Sequence, residues 1–389
     1  MSVLPLWGYG VVLASALVVS LVLTPLALVI ALRLGIFDHP GPAKAHSNAV
    51  PYLGGAAIVV SFALVVLVAS VVRPPPSGLP QLAGFLGLAV LLAGVGLLDD
   101  LRGGLSPWLR LGVEAGAGLA VWSMGYAAHL PGLPSGLDAV VTVVWVAGVT
   151  NAFNLLDNMD GLSAGVTVVA TLSIFGIAWL QHRYLVAALA VALAGCGAGF
   201  LRHNFHPARI YMGDAGSLFL GFMVAVLLLK LRTNAPTRVE VAVILAVPGV
   251  ALFDTTLVMV SRVLHKRSPF RGGQDHTSHR LVYLGLSVRQ AVITTYLAGI
   301  VLGGGAVAMA QLGPAVRITG VIALFAAAAL ATILLARAPV YAVPWSQAKG
   351  RQPVVTPSET PAFGGNGAEA SAGQATMSSG TTSRSSAKS

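Results

Sequence analysis

The residues best suited to chemistry lie in a polar stretch, residues 151–165, that separates two long apolar segments. The stretch holds three Asn, two Asp and two Gly, and a membrane-spanning chain can place such a segment only at the bilayer surface or in a protein-lined aqueous cavity. Asp157 and Asp160 are three positions apart, so one helical turn would present both carboxylates on the same face. A polar turn between helices with no further function is the alternative interpretation.

Acidic residues elsewhere favour the functional interpretation, because most of them occur in or beside loops that also carry Lys, Arg and His. Seven of the 13 acids do so: Asp38, Asp99, Asp100, Asp157, Asp160, Asp214 and Asp275. Carboxylate oxygens are good ligands for Mg²⁺, and basic side chains neutralise phosphate oxygens. The pattern therefore predicts a metal-bridged phosphate site. A metal or a shared proton would also relieve the repulsion between the adjacent Asp99 and Asp100.

Further candidates lie in the same set of polar loops. Lys44, His46, Arg110 and Arg271 are predicted to contact phosphate, with an ordinary basic loop as the alternative for Lys44. Asp214 is expected at the start of an apolar helix, where the helix dipole favours an anion. A helix-capping role is the alternative for this residue.

The segment before Asp214 and the last polar loop add four more candidates. Asn204 and Tyr211 offer an amide and an aromatic ring, which suit a nucleobase. His276 and His279 would share one face if their loop is helical. We predict that these histidines contact phosphate and not zinc, because the chain has one Cys and no companion His pair.

Composition places these loops in an integral membrane protein. The 389 residues are 56% hydrophobic and only 9% charged, a balance that soluble domains do not show. The predicted fold is all-α, a polytopic membrane protein with about eleven transmembrane helices of roughly 20 residues each. The apolar runs lie near residues 9–32, 52–72, 82–98, 111–128, 138–150, 163–180, 184–201, 216–230, 241–261, 290–311 and 315–336.

Charges in the loops predict the orientation of the chain. One face carries 12 Lys and Arg residues and the other carries six, so the first face, which holds the acid-rich loops, is predicted to be cytoplasmic. The N-terminus would then lie outside and the C-terminus in the cytoplasm. The net charge of +10 reflects this bias and contact with anionic lipid, and we expect no nucleic-acid partner. Residues 1–337 are predicted to form a transmembrane catalytic domain, and residues 338–389 a disordered cytoplasmic tail.

Four motifs occur in order along the chain: Asp99-Asp100, Asn151-x-x-Asn154-x-x-Asp157-x-x-Asp160-Gly161, Tyr211-Met-Gly-Asp214-x-Gly-Ser217 and Ser268-Pro-Phe…His276-x-x-His279-Arg-Leu281. Over residues 9–336 this set resembles the polyprenyl-phosphate N-acetylhexosamine-1-phosphate transferases of glycosyltransferase family 4, which act in bacterial envelope synthesis. The resemblance implies a Mg²⁺-dependent enzyme, with Mn²⁺ as a substitute. Such an enzyme moves a sugar phosphate from a UDP-sugar to a polyprenyl phosphate lipid and releases UMP. It would lie in the bacterial inner membrane with its active site on the cytoplasmic face, and a homodimer is left open.

The resemblance also implies roles for individual residues. Asp214 and Asn154 would bind the metal, and Asp99 and Asp100 would be the catalytic residues, acting on the lipid phosphate and the pyrophosphate. Direct attack by the lipid phosphate and a covalent aspartyl intermediate both stay open. Asp160 and Asn204 would hydrogen-bond uracil, on which Tyr211 would stack. The full predicted substrate-binding set is Lys44, His46, Arg110, Asn154, Asp157, Asp160, Asn204, Tyr211, Arg271, His276 and His279.

Two alternatives accompany this interpretation. Ser278 stands where the family often has another histidine. The serine at this position looks more like the branch that uses UDP-N-acetylglucosamine. A phospho-N-acetylmuramoyl-pentapeptide transferase of peptidoglycan synthesis is the alternative within the family. A carboxylate-based membrane transporter is the alternative from another class, but only Glu114 and Asp254 lie in apolar runs, where a transporter places its ionisable groups.

Overall fold

The structure is a computed structural model that describes residues 5–38, 49–74, 79–128, 130, 132, 134–231, 238–269, 272–311, 314–343, 345 and 348. At residues 135, 238–240 and 314–316 it describes the backbone alone. Three predicted site residues, Lys44, His46 and Arg271, lie outside the described residues.

The described chain is predominantly helical with almost no sheet, which confirms the predicted all-α class. Two short strands, β1 (Phe37–Asp38) and β2 (Val50–Pro51), pair antiparallel with Phe37 opposite Pro51. The helices are α1 (Leu6–Leu34), α2 (Gly54–Val72), α3 (Leu79–Arg102), α4 (Pro107–Ser123), α5 (Asp138–Leu156), α6 (Leu162–Leu180), α7 (Tyr184–Asn204), α8 (Gly213–Leu231), α9 (Arg238–Ala246), α10 (Gly249–Leu264), α11 (Thr277–Tyr283), α12 (Val288–Gln311) and α13 (Pro314–Ala336).

Nine of the helices in the described part of the chain are long and apolar enough to cross a bilayer. The chain is therefore a polytopic membrane protein, as predicted. The remaining two predicted spans differ from expectation. The fourth is the 17-residue helix α4, and the ninth is divided into α9 and α10 on either side of Val247 and Pro248. Proline lacks the N–H that a continuous helix would use at that point. The orientation of the termini stays a prediction.

Helix α8 forms the centre of the bundle and packs against α2, α3, α5, α6 and α7. In the most apolar 18-residue stretch of α8, 89% of the residues are buried, compared with 6% in the corresponding stretch of α13. A helix that is apolar on every side has no face suited to water, so it lies either inside the protein or against lipid. Helix α8 takes the first position and α13 the second.

The helix ends that carry polar residues meet at one end of the bundle. The Asp214 N–H at the start of α8 donates to Asp100 near the end of α3. The Gly161 N–H before α6 donates to Asn204 at the end of α7. Tyr52, just before α2, forms a parallel bridge with Tyr211. The bundle thereby brings together polar segments that are far apart in sequence.

The close approach of α3 and α8 depends on glycine. A Cβ atom on Gly96 would lie 2.4 Å from the carbonyl carbon and oxygen of Asp214, well inside van der Waals contact. Gly213 has φ +67°, which side chains rarely adopt, and a Cβ there would lie 2.4 Å from the Asp100 carboxylate. Because both residues lack a side chain, the two acidic helix ends can lie in direct contact.

Residues just beyond the predicted domain boundary at 337 contact the helical bundle. The Tyr341 hydroxyl donates to Asp275 over 2.8 Å, and Trp345 packs edge-on against His279. The described residues 338–343 and Trp345 therefore pack against the helical bundle. The disorder predicted for the rest of the tail stays a prediction, because residues 349–389 lie outside the described part of the chain.

Candidate active site

A cavity of about 690 Å³ lies where the polar helix ends meet. Its walls come from α3, the α5–α6 turn, the segment before α8 and the region around α11. Eight of the predicted site residues line it: Asp99, Asp100, Asp157, Asp160, Asn204, Tyr211, Asp214 and His279. The structure thus brings together the acids that the sequence placed in three separate loops.

The two adjacent acids at the end of α3 are held by backbone N–H groups. Asp100 accepts hydrogen bonds from the N–H groups of Asp214 (3.1 Å) and Ala215 (3.4 Å) at the start of α8. This end of a helix carries a partial positive charge that stabilises a carboxylate. Asp99 accepts a 2.6 Å hydrogen bond from the Leu105 N–H. The two carboxylates are therefore separately fixed, and their oxygens face one cavity.

Arg110 is the cation of this cluster. Its guanidinium donates to Asp214 and to the Asn154 side-chain oxygen, each over 2.7 Å, and lies 3.6 Å from Asp99. Asn154 in turn donates to Asp214 and to the Ser217 hydroxyl, each over 2.8 Å. The sequence predicted that Arg110 contacts substrate phosphate, but in the structure it pairs with the protein's own acid. Neither Arg110 nor Asn154 is among the residues that line the cavity.

The donor atoms of this cluster fit a magnesium ion in type. Asp99, Asp100 and Asp214 supply carboxylate oxygens and Asn154 supplies an amide oxygen, all of them hard ligands. No group of three His, Cys, Asp or Glu side chains in the described segments is arranged around a common point. Arg110 instead pairs with both predicted metal ligands, Asp214 and Asn154, so an ion bound by these two side chains would have to replace the guanidinium.

The polar stretch 151–165 forms a turn only at its centre, residues 157–161. Helix α5 ends at Leu156 and α6 begins at Leu162, so Asp157 and Asp160 do not share a helical face, although both line the cavity. Burial raises the pKa of Asp157 well above its ordinary value of 3.8, and the nearby carboxylates, those of Asp214, Asp100 and Asp160, raise it further. Asp157 therefore holds its proton more readily than an ordinary carboxyl.

The residues predicted to bind uracil also form bonds within the protein. Asp160 accepts hydrogen bonds from His206 (2.7 Å) and from the Ala208 N–H (3.0 Å). Asn204 is buried, and its amide accepts from the Gly161 N–H and donates to the Ile210 carbonyl. These contacts tie the α5–α6 turn to the end of α7. Asn204 therefore fixes the shape of the cavity whatever it contacts in a ligand.

Tyr211 takes part in the same connection. Its backbone N–H donates to the Pro51 carbonyl over 2.9 Å, and its carbonyl accepts from the Gly54 N–H over 3.0 Å. Burial, followed by the charges of Asp160 and Asp38, raises the pKa of Tyr211, so its phenol stays neutral. The ring lines the cavity, a position compatible with stacking on a base.

The two predicted histidines have different surroundings. His276, just before α11, is hydrogen-bonded through Nδ1 to Asp254 over 2.8 Å and is not among the residues lining the cavity. His279 lies one turn later and lines the cavity, and its two ring nitrogens have no hydrogen-bond partner among the described residues. Burial, with a smaller effect from His276, lowers the pKa of His279 to about 3. The serine between them, Ser278, donates to Asn158 over 2.6 Å.

The two acids within apolar runs are both engaged. Asn151 donates to Glu114, and Asp254 accepts from His276 and from the Thr277 N–H. Neither residue lines the cavity at the polar end. This arrangement gives the transporter alternative no support, since a transport path would need ionisable groups exposed to an aqueous route at membrane depth.

Several residues around the cavity were missed by the sequence analysis. Tyr52 donates to the Asp100 carbonyl over 2.8 Å, His206 bonds Asp160, and Asn158 and Trp345 line the wall near His279. The position of Asn158 directly beside Asp157 could have signalled it. No local pattern signalled Tyr52 or Trp345, whose positions depend on long-range packing.

Comparison with known proteins places the site in a wider context. The family model "Glycosyl transferase family 4" matches residues 82–232, which span α3 to α8 and carry most of the cavity's acids. A relative from Bacillus subtilis (strain 168), named a probable undecaprenyl-phosphate N-acetylglucosaminyl 1-phosphate transferase, is 30% identical over 76% of this chain and 83% of its own length.

Two other relatives bear on the choice of branch. A decaprenyl-phosphate N-acetylglucosaminephosphotransferase from Mycolicibacterium smegmatis is 32% identical and covers 78% of this chain and 82% of its own. A phospho-N-acetylmuramoyl-pentapeptide-transferase from Levilactobacillus brevis is 34% identical, but over 45% of this chain and 59% of its own. The two relatives named as N-acetylglucosamine-phosphate transferases are therefore similar over most of both chains, whereas the pentapeptide transferase is similar over about half.

Proposed function

The chain belongs to glycosyl transferase family 4, and we propose that it transfers N-acetylglucosamine 1-phosphate from UDP-N-acetylglucosamine to a polyprenyl phosphate in the membrane, releasing UMP. The product would start a cell-envelope polysaccharide. We place the enzyme in the bacterial inner membrane with the cavity on the cytoplasmic side, where the basic loops of the sequence favour it.

One observation carries the proposal: six carboxylates from four separate segments line a single cavity at the polar end of the helical bundle. Such a concentration of negative charge is costly unless cations or protons balance it. In a transferase that acts on two anionic phosphates through a bound cation, such carboxylates would bind the cation. The apolar surface around the bundle supports a lipid as the second substrate, since a polyprenyl chain can lie along the helices while its phosphate reaches the cavity.

The reaction would be a displacement at the β-phosphorus of the donor. An oxygen of the lipid phosphate forms a bond to this phosphorus, and the bond to the oxygen bridging the α- and β-phosphates breaks, so UMP leaves with the bonding electrons. The sugar stays attached to the β-phosphate. Catalysis then consists mainly of positioning and charge neutralisation. Asp99 and Asp100 are held by fixed N–H donors, and Arg110 supplies positive charge beside them.

We propose Mg²⁺ as the cofactor, held by Asp214 together with Asn154 and neighbouring carboxylates. When bound, it would neutralise the pyrophosphate and stabilise the leaving UMP. The protein's own part is to keep the carboxylate oxygens in place and to bring the lipid phosphate into line. The α8 N-terminus and the α3 end, held together by the Gly96 contact, provide that rigidity.

The first test is substitution of the clustered acids. Asp99→Asn, Asp100→Asn and Asp214→Asn should each lower Mg²⁺-dependent UMP release from UDP-N-acetylglucosamine plus polyprenyl phosphate by about 100-fold or more. Asp138→Asn is the matched control, because Asp138 begins α5 at the end opposite to Asp157. Normal turnover in all three cluster variants, each verified as folded, would defeat the proposal.

A second assay separates the two branches of the family. The purified protein is offered UDP-N-acetylglucosamine or UDP-N-acetylmuramoyl-pentapeptide with the same lipid acceptor, and UMP release is followed. We expect turnover with the first donor only. Turnover confined to the pentapeptide donor would assign the chain to the other branch while leaving its chemistry intact.

A further inference from the structure

The segment after α13 returns to the cavity and packs against the α11 region; we call residues 338–343 and Trp345 the C-terminal strap. Tyr341 and Val343 attach it to the helical bundle. The Tyr341 hydroxyl donates to Asp275 over 2.8 Å, the Tyr341 ring lies 4.5 Å from the His265 ring, and the Tyr283 hydroxyl donates to the Val343 carbonyl over 2.9 Å. Composition alone had assigned these residues to the tail.

The strap places one large side chain in the cavity wall. The Trp345 indole packs edge-on against the His279 imidazole, with ring centroids 4.8 Å apart at 74°, and against Tyr283 at 5.7 Å. Both Trp345 and His279 line the cavity, and they are 9% and 2% exposed. They therefore belong to the wall of the cavity that the clustered acids also line.

The wall has three unused hydrogen-bonding atoms. The indole N–H of Trp345 and both ring nitrogens of His279 have no partner among the described residues. A buried polar atom without a partner costs about 1–3 kcal/mol, so native structures rarely keep three together without a reason. Packing alone would be served as well by Phe or Leu. Neighbouring His276, by contrast, is bonded to Asp254.

The chemistry of these atoms indicates the kind of ligand. A neutral imidazole presents one donor and one acceptor, and the indole adds a donor. Neither group carries a charge, so neither is suited to neutralising a phosphate. Groups that both donate and accept, such as the hydroxyl and acetamido groups of a sugar, match this set.

We propose that Trp345 is a substrate-binding residue and that, with His279, it contacts the N-acetylhexosamine part of the donor and not its phosphates. This inference rests on the proposed function, since it names the part of the UDP-sugar that one wall of the cavity binds. The strap is then a working part of the binding site, and its anchors on Asp275 and Tyr283 position Trp345.

The test compares two ligands that differ only in the sugar. Full-length protein in detergent micelles, without lipid acceptor, is titrated with UDP-N-acetylglucosamine and with UDP by calorimetry. Trp345→Phe keeps an aromatic ring and removes the N–H. It should weaken binding of the sugar nucleotide about five- to tenfold, the usual effect of one hydrogen bond, and leave UDP binding unchanged. Trp7→Phe is the matched control, because Trp7 is 71% exposed on α1.

The outcomes separate the two proposals. Equal affinity of Trp345→Phe and wild type for UDP-N-acetylglucosamine overturns the role of Trp345, and so does an equal loss for UDP. If the wild-type protein binds UDP and UDP-N-acetylglucosamine with equal affinity, the proposed donor is overturned, and this inference with it. If Trp345→Phe does not melt cooperatively, Trp345→Tyr, which keeps an aromatic ring but moves the hydrogen-bond donor, is judged by the same comparison of ligands.

Discussion

Gly96→Ala tests whether the carboxylates act as one site, because it changes the spacing of the helices and removes no polar group. Gly96 is on the face of α3 that meets α8. It lies about one helical turn before Asp99 and Asp100. Its added Cβ would lie 2.4 Å from the carbonyl of Asp214 and 2.6 Å from the Ala215 nitrogen. These are backbone atoms, which no side-chain rotation can move away. The two helix ends must therefore separate.

The size of the effect follows from this overlap. Relief to ordinary contact requires a displacement of about 1 Å, and misplacing catalytic groups by that much lowers turnover about 100-fold. Overpacking of a core contact costs about 1–3 kcal/mol of stability. Gly96→Ala should therefore melt at a lower temperature than wild type and release UMP about 100-fold more slowly.

Gly94→Ala is the matched control on the same helix. Gly94 is exposed, and a Cβ there meets nothing within 4 Å. Alanine is a better helix former than glycine by about 1 kcal/mol, so this variant should keep full turnover and lose no stability. The assay is UMP release at saturating donor and lipid, paired with thermal unfolding in the same detergent. Equal turnover of the two variants would refute the idea that the contact between α3 and α8 assembles the site.

Two further predictions concern charge. Arg110→Ala leaves Asp99 and Asp214 without their guanidinium and should lower the free energy of unfolding by about 2–4 kcal/mol, somewhat less than for a fully buried pair. Mg²⁺ should restore part of this loss in thermal unfolding, and a variant as stable as wild type, or one indifferent to Mg²⁺, would contradict the arrangement. Asp157→Asn should stabilise the protein at neutral pH in metal-free buffer. Because the pKa of Asp157 is raised, the folded state binds a proton more tightly than the unfolded state. The free energy of unfolding therefore falls as pH rises from the ordinary pKa of 3.8 to the pKa in the folded state. The stabilisation should disappear near and below pH 3.8, and its persistence there would show that the asparagine acts through packing instead.

Much of the fold was predictable because membrane helices are encoded locally. A run of apolar residues of sufficient length must form a helix in lipid, where no backbone N–H or C=O can stay unpaired. Exceptions arose where the local signal was ambiguous. Apolar residues continue across Val247 and Pro248, so the run reads as one span, whereas the structure ends α9 and begins α10 there.

The content of the site was likewise predictable, but the pairings within it were not. Polar residues in an apolar chain stand out by type, and that identified eight of the residues lining the cavity. Which partner each side chain takes depends on how helices cross and which rotamers fit. For Arg110, only the meeting of α4, α5 and α8 shows that the guanidinium pairs with Asp214 and donates to the Asn154 side-chain oxygen.

The sequence by itself determined that this protein is a bundle of membrane helices and which loops carry its chemistry, since hydrophobicity and residue type act over a few neighbouring positions. Tertiary structure alone decided that Gly96 brings two acidic helix ends into contact, that the α5–α6 turn is tied to Asn204, and that Trp345 belongs to the cavity wall. Each of these joins residues tens to hundreds of positions apart. Such contacts form only because the whole bundle buries its apolar surface together, and no single segment carries the information to specify them.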